Sequence, residues 1–216
     1  MIRRPSVFLF SFFVLLGCQA VSAQQFGFGV TGGVRTTDDI TGQASSESRR
    51  YTIGPTVELG LPLGFGVEVD ALYRRFGYTS SASFLGGYFT DRERANSWEF
   101  PILVKHRLPG IVVHPFAEIG YAPRVMSGSG TSDATLINLQ TSAATHTNSH
   151  SSTHYDSSHG VVIGAGIEMR LAKLHLSPEI RYTRWSNTPV NAFGSQGYFL
   201  QSTQNQVDTL LGVTWH

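Results

Sequence analysis

Apolar side chains recur at every second residue in eight separate stretches between Phe26 and Trp215, and this period of two most narrows what the chain can fold into. Successive side chains leave a pleated backbone on opposite sides, so such a stretch is a strand with one apolar face. The hairpin over residues 97–124 shows the pattern best. Trp98, Phe100, Ile102, Val104 and His106 share one face, with Glu99, Pro101, Leu103, Lys105 and Arg107 on the other. After a turn at Pro109-Gly110, Val113, Pro115, Ala117, Ile119 and Tyr121 alternate with His114, Phe116, Glu118, Gly120 and Ala122.

The other strands are expected at residues 26–35, 51–60, 65–74, 160–171, 174–183 and 207–215. Their connections alternate strictly. Polar segments 36–49, 77–96, 125–158 and 186–204 are long, whereas Leu61–Gly64, Pro109-Gly110 and Ala172-Lys173 are tight turns. An even number of antiparallel strands, short turns at one end and long loops at the other is the pattern of an outer-membrane barrel. A crossing strand needs roughly 9–11 residues, and these suffice. The expected fold is therefore all-β, an eight-stranded antiparallel up-and-down transmembrane β-barrel.

The leading residues carry an export signature. Arg3 and Arg4 precede an apolar run from Val7 to Leu16, followed by the small-residue site Val21-Ser22-Ala23. That run is too short for a spanning helix, which needs about 20 residues. We expect residues 1–23 to be a signal peptide and residues 24–216 the barrel. Leu15-Leu16-Gly17-Cys18 also reads as a lipoprotein box, in which Cys18 would be lipidated instead. Cys18 is the single cysteine, so the chain holds no disulfide framework and no cysteine-only metal cluster. Loss of Arg3 and Arg4 takes the 16 basic residues to 14 against 15 acids, leaving no basic excess for nucleic acid.

Alternation alone does not orient the apolar face, because a soluble barrel would turn it inward. Three features place it outward, against lipid. The opposite face mixes glycine with acids and bases. Tyr51, Tyr73, Trp98, Tyr121, Tyr182 and Trp215 stand near strand ends on the apolar face, as interfacial girdles do. The last apolar strand runs directly into Thr214-Trp215-His216.

Several stretches resemble the PorT-like outer-membrane β-barrels of Gram-negative bacteria. They are Trp98–Lys105 (WEFPILVK), Pro115–Tyr121 (PFAEIGY), Val162–Glu168 (VIGAGIE) and Glu179–Tyr182 (EIRY). The resemblance implies an eight-stranded outer-membrane barrel without an established activity. Such barrels usually end on an aromatic residue read by the barrel-assembly machinery, whereas here His216 follows Trp215.

The inward face is expected to hold an ion-pair network of Glu58, Glu68, Asp70, Arg74, Glu99, Lys105, Arg107, Glu118, Glu168, Arg170, Glu179, Arg181 and Asp208. A small barrel has room only for side chains inside, and buried charges must be paired. The network is expected to plug the lumen; the alternative is a narrow path for ions or small solutes. His146, His150, His154 and His159, with Asp156, could bind zinc, copper or nickel if the histidines shared a helix face. The Ser, Thr and Asn around them point instead to a mobile, solvated loop.

His175, Ser177 and Glu179 share a face and have the residue types of a hydrolytic triad. The lipid A 3-O-deacylases carry a His-aromatic-Ser-Asn motif that Arg184-Trp185-Ser186-Asn187 resembles, with Arg184 in place of the base. A lipid-modifying hydrolase is therefore the third reading. The expectation is a monomeric barrel among outer-membrane lipid, not an enzyme, without cofactor, recognising an extracellular ligand through four mobile outer loops.

Overall fold

The computed structural model describes residues 25–38, 40–42, 45–154, 157–187, 191–193 and 199–216. The expected signal peptide, Cys18 and Asp156 lie outside the described residues. Eight strands form a ring: β1 (Gln25–Arg35), β2 (Tyr51–Gly60), β3 (Phe65–Asp70, then Leu72–Phe84), β4 (Gly87–Glu99, then Ile102–Arg107), β5 (Val113–Ile137), β6 (Ser158–Leu171), β7 (Leu174–Trp185) and β8 (Asn205–Trp215). Each pairs antiparallel with the next in sequence. β1 closes on β8 from Phe28 opposite Trp215 to Arg35 opposite Asp208. Closure removes the unpaired strand edges that hydrocarbon does not tolerate.

Side chains divide cleanly at this wall. Ile102 and Val104 are 48% and 47% exposed on its outer surface, whereas Leu103 between them is 0% exposed. Phe28, Ile53, Val69, Ile119, Ile163 and Leu211 likewise face out. On β5 the outward apolar run from Val113 to Tyr121 covers about 26 Å along the strand, which at the usual tilt of about 40° is about 20 Å of the roughly 25 Å apolar band. Both two-segment strands break at one level. Ala71 N donates to Pro55 O, and Asp70 N donates to Pro101 O, so the ladder steps around prolines that cannot donate.

Beyond this band two of the four segments expected as loops, 77–96 and 125–158, are instead largely strand. Residues 77–96 continue β3 and β4 as a paired ladder up to Phe84 opposite Gly87, turning at Leu85-Gly86, where Gly86 adopts a φ of +99°. Residues 125–158 are largely a hairpin, in which β5 runs on to Ile137 and a returning strand, Ala144–His154, pairs back along it. Ser45–Ser46 joins β3 at Thr79 and Tyr78. Ile40–Gly42, Asn191–Phe193 and Phe199–Ser202 form a small separate sheet joining the first and last long connections. Outside lipid the outward face needs no apolar side chains, so these strands carry no amphipathic contrast.

Candidate functional site

The lumen gathers the candidate residues. Of the thirteen charged residues expected there, all but Arg170 are no more than 8% exposed. Arg170 stands at the short-turn mouth, its side chain 41% exposed. The others fall into three tiers.

The central tier is built on Arg181 of β7. Its Nε donates to Glu118 Oε1 at 2.9 Å, Nη1 to Asp70 Oδ2 at 2.7 Å, and Nη2 to Glu68 Oε1 at 3.0 Å and Glu179 Oε1 at 2.5 Å. Lys105 Nζ lies 2.5 Å from Glu68 and 3.6 Å from both Glu118 and Glu179. It also sits 4.5 Å over the Phe116 ring. Thr56 Oγ1 donates to the remaining Asp70 oxygen. Four carboxylates thus share two cations. In a medium of low dielectric such groups hold one another by charge-assisted hydrogen bonds, and loss of one partner strands the rest.

The tier near the short turns centres on Arg107, which pairs with Glu58 and donates from Nε to Glu168 Oε2 at 2.6 Å. Arg170 Nε donates to the other Glu168 oxygen at 2.9 Å, and His175 Nδ1 is 3.5 Å from it. Below them opens a cavity of about 560 Å³ lined by Glu58, Arg107, His114, Glu168, His175 and His216. His216 folds into this mouth and stacks on His175, ring centroids 4.1 Å apart. Burial there pushes the His216 imidazole down to about 4, and the adjoining His175 acts in the same sense. Trp215 therefore provides the outward-facing aromatic at this end of β8, half exposed, while the last residue turns inward.

The third tier, near the long loops, joins Glu99, Asp208 and Arg74 of the expected network to residues outside it. Arg35 donates to Glu99 Oε1 and Asp208 Oδ1, both at 3.1 Å. Gln206 Nε2 donates to Glu99 Oε2 at 3.0 Å and Asp208 Oδ2 at 2.6 Å, and its Oε1 accepts from Trp185 Nε1 at 2.7 Å. Arg124 lies 3.9 Å over the Trp185 ring and donates to Ser158 Oγ. Arg74 is buried at this end of the lumen. Leu103, Ala122, Val162 and Trp185 form an apolar cluster among the charges. Strand parity carried one to three residues past the apolar run would have found Arg35, Arg124, Trp185 and Gln206.

The other candidates are dispersed. His146, His150 and His154 lie on the returning outer strand, not on a helix, and a spacing of four there separates Cα atoms by about 13 Å. Thr135 Oγ1 and His146 Nδ1 are 2.8 Å apart, and His159 stacks on Tyr121 from β6. His146, His150 and His159 are not brought together, and the side chain of His154 lies outside the described residues. His175, Ser177 and Glu179 do share the buried lumen face, but Glu179 is engaged by Arg181 and Lys105. In the second motif Arg184 faces outward and Trp185 inward, while Ser186 Oγ meets only Asn187 Oδ1, at 3.5 Å, among its described contacts.

Solved structures to which the chain shows similarity include Neisserial surface protein A, 10% identical over 89% of this chain and 98% of that one, with a TM-score of 0.40. The N-terminal β-barrel domain of Pseudomonas aeruginosa OprF gives the same four values. Ail, the attachment invasion locus protein of Yersinia pestis, is 9% identical over 88% of this chain and 99% of that one, with a TM-score of 0.38. No curated protein sequence matches the chain. The family model described as "Outer membrane protein beta-barrel domain" matches residues 8–209, nearly the whole sequence. With a closed ring of eight strands, apolar outside and charged within, the chain belongs to this family and resides in the bacterial outer membrane.

Proposed function

We propose that the protein is a plugged structural barrel whose outward extensions carry recognition or adhesion. The observation behind the plug is Arg181, which bonds carboxylates on β3, β5 and its own β7 and so ties opposite walls together. The extensions of β3, β4 and β5 form a stiff platform at the outer end, suited to presenting a binding surface. Within the family we align the chain with the PorT-like barrels, on the strand segments around Trp98–Lys105 and Val162–Glu168. No catalytic role or cofactor is assigned, and residues 1–23 are taken to be removed at the outset of export.

Single-channel recording on the refolded chain tests the plug. Only brief, small openings are expected from the wild type, with larger ones in Arg181→Ala and Glu179→Ala. A large, steady wild-type conductance would overturn the plug in favour of a narrow pore, a reading favoured by the 560 Å³ mouth that reaches up to Arg107. Incubation with lipid A, followed by mass spectrometry for released hydroxy fatty acid, tests the hydrolase reading. No release is expected.

A further inference from the structure

We propose that the outer rim of the barrel binds the phosphate groups of outer-leaflet lipid headgroups through a collar of arginines. The collar follows from the girdle. Tyr51, Tyr73 and Tyr182 point outward at the outer edge of the apolar band, and each has an arginine two positions further out: Arg49, Arg75 and Arg184, all exposed. A two-residue step keeps a side chain on the same face and moves it about 7 Å along the strand, or about 5 Å in height at a tilt of about 40°. The headgroup zone of one leaflet is about 5–7 Å deep. These guanidinium groups therefore leave the wall on its lipid side, at headgroup level.

Two of them stand together. Arg49 N donates to Arg75 O at 2.9 Å, which sets the two residues side by side across adjacent backbone segments. Arg94 stands opposite Gly77, on the same outward face as Trp98. Arg49, Arg75 and Arg94, with Ser46 and Ser48, line a hollow of about 460 Å³. Its one carboxylate, Glu47, is drawn loosely toward Arg92 and Arg94, at 3.6 and 3.9 Å. Among the described residues no carboxylate pairs with Arg49 or Arg75. The guanidinium fork matches phosphate oxygens two at a time, which a lysine does not.

The opposite rim is built differently. Two positions beyond the outward-facing Phe65 and His106 stand Leu63 and Leu108, 87% and 51% exposed, and beyond Leu171 the exposed cation is a lysine, Lys173, without an arginine beside it in that turn. A collar on one rim alone fits a ligand confined to one leaflet. It points to lipid, because a soluble anion would need no alignment with the girdle. The inference requires only the membrane placement and holds whether or not the lumen conducts.

Native mass spectrometry of the full folded chain in detergent tests it, with bisphosphorylated lipid A and its phosphate-free form as probes. The phosphorylated lipid is expected to stay bound, and Arg49→Gln with Arg75→Gln to weaken it about tenfold or more, a loss of roughly 1.4 kcal/mol. Arg92→Gln, further out, is expected to change it little. Heat-modifiable gel mobility confirms folding. If the double variant does not fold, the two lipids compared on the wild type decide the matter. Equal retention of both lipids, or retention unchanged in a folded double variant, overturns the proposal. Displacement by millimolar inorganic phosphate or by a sulphated polysaccharide would also overturn it, by making the rim a site for soluble anions.

Discussion

Arg181 and Asp70 stand on β7 and β3, strands four places apart in a ring of eight, yet Arg181 Nη1 lies 2.7 Å from Asp70 Oδ2. The lumen at that level is no wider than two side chains laid end to end. Because the same guanidinium also reaches Glu68 and Glu118, the tier acts as a cross-brace between walls that the hydrogen-bonded ladder joins only around the circumference. The inner charges belong to the architecture as much as the outer apolar band does.

Arg181→Ala should therefore cost about 3–5 kcal/mol, since it leaves four buried carboxylates with Lys105 alone. Urea unfolding in lipid vesicles measures this as a lower midpoint. Adding Asp70→Asn and Glu179→Gln removes the stranded charges and should recover much of the loss. A triple variant weaker than Arg181→Ala would show that the carboxylates do not depend on Arg181.

Gly164 leaves the space in which Glu118 lies. A Cβ there would come within 2.4 Å of Glu118 Oε1 and 2.9 Å of its Cγ, forcing the carboxylate away from Arg181. Gly164→Ala should destabilise the barrel by about 1–3 kcal/mol. In a Glu118→Ala background the same change should cost much less, because the clash is gone. Equal costs in the two backgrounds would mean that the glycine matters for another reason.

The three tryptophans report the orientation of the wall. Trp98 and Trp215 are 40% and 51% exposed on the outer face, whereas Trp185 is 2% exposed inside. Single-tryptophan variants in vesicles of brominated lipid should show strong quenching for Trp98 and Trp215 and little for Trp185. Quenching of Trp185 above the other two would invert the barrel.

The outer hairpin should behave as an ordered element with one weak point. Between Ile137 and Ala144 the chain turns through Asn138–Ser142, closed by Ser142 N donating to Asn138 O. Brief proteinase K treatment of intact vesicles should cut within this turn first and leave residues 125–137 and 144–154 protected for longer. Early cuts scattered along both strands would restore the picture of a mobile loop.

These cases separate what the sequence could show from what it could not. Leu103 between Ile102 and Val104 was legible because lipid and lumen demand opposite chemistry on alternate residues. The same rule located Glu118 and Arg181. Above the band, water lies on both sides: Thr79, Arg92 and Thr131 face outward where Tyr73, Trp98 and Tyr121 do lower down, and the strand signature vanishes while the strands continue. Arg35, Arg124 and Gln206 were missed at this boundary, where the apolar half of the pattern stops before the inward half. Strand parity does not say which carboxylate meets which cation. That depends on tilt and on side-chain reach across a closed ring.

The short-turn mouth should respond to pH through His216. Its ring stacks on His175 and lies where a side chain at Gly27 would stand, since a Cβ there would meet the imidazole at 2.5 Å. The folded chain holds this imidazole neutral down to about 4, against about 6.5 in the unfolded chain. The unfolded chain thus takes the proton first as pH falls, so stability is full above pH 6.5 and declines toward pH 4. The mouth is partly open to solvent, and screening reduces the effect to about 1 kcal/mol. Arg107, Arg170 and Glu168 face the same ring, with Glu168 alone favouring its charge. Their own titration is separated by measuring the difference between wild type and His216→Phe, which keeps a ring on His175 but cannot take up a proton. Between pH 7.5 and pH 4.5 the wild type should lose stability relative to that variant in urea unfolding. A constant difference would mean that the ring leaves the mouth when charged, at no cost to the fold.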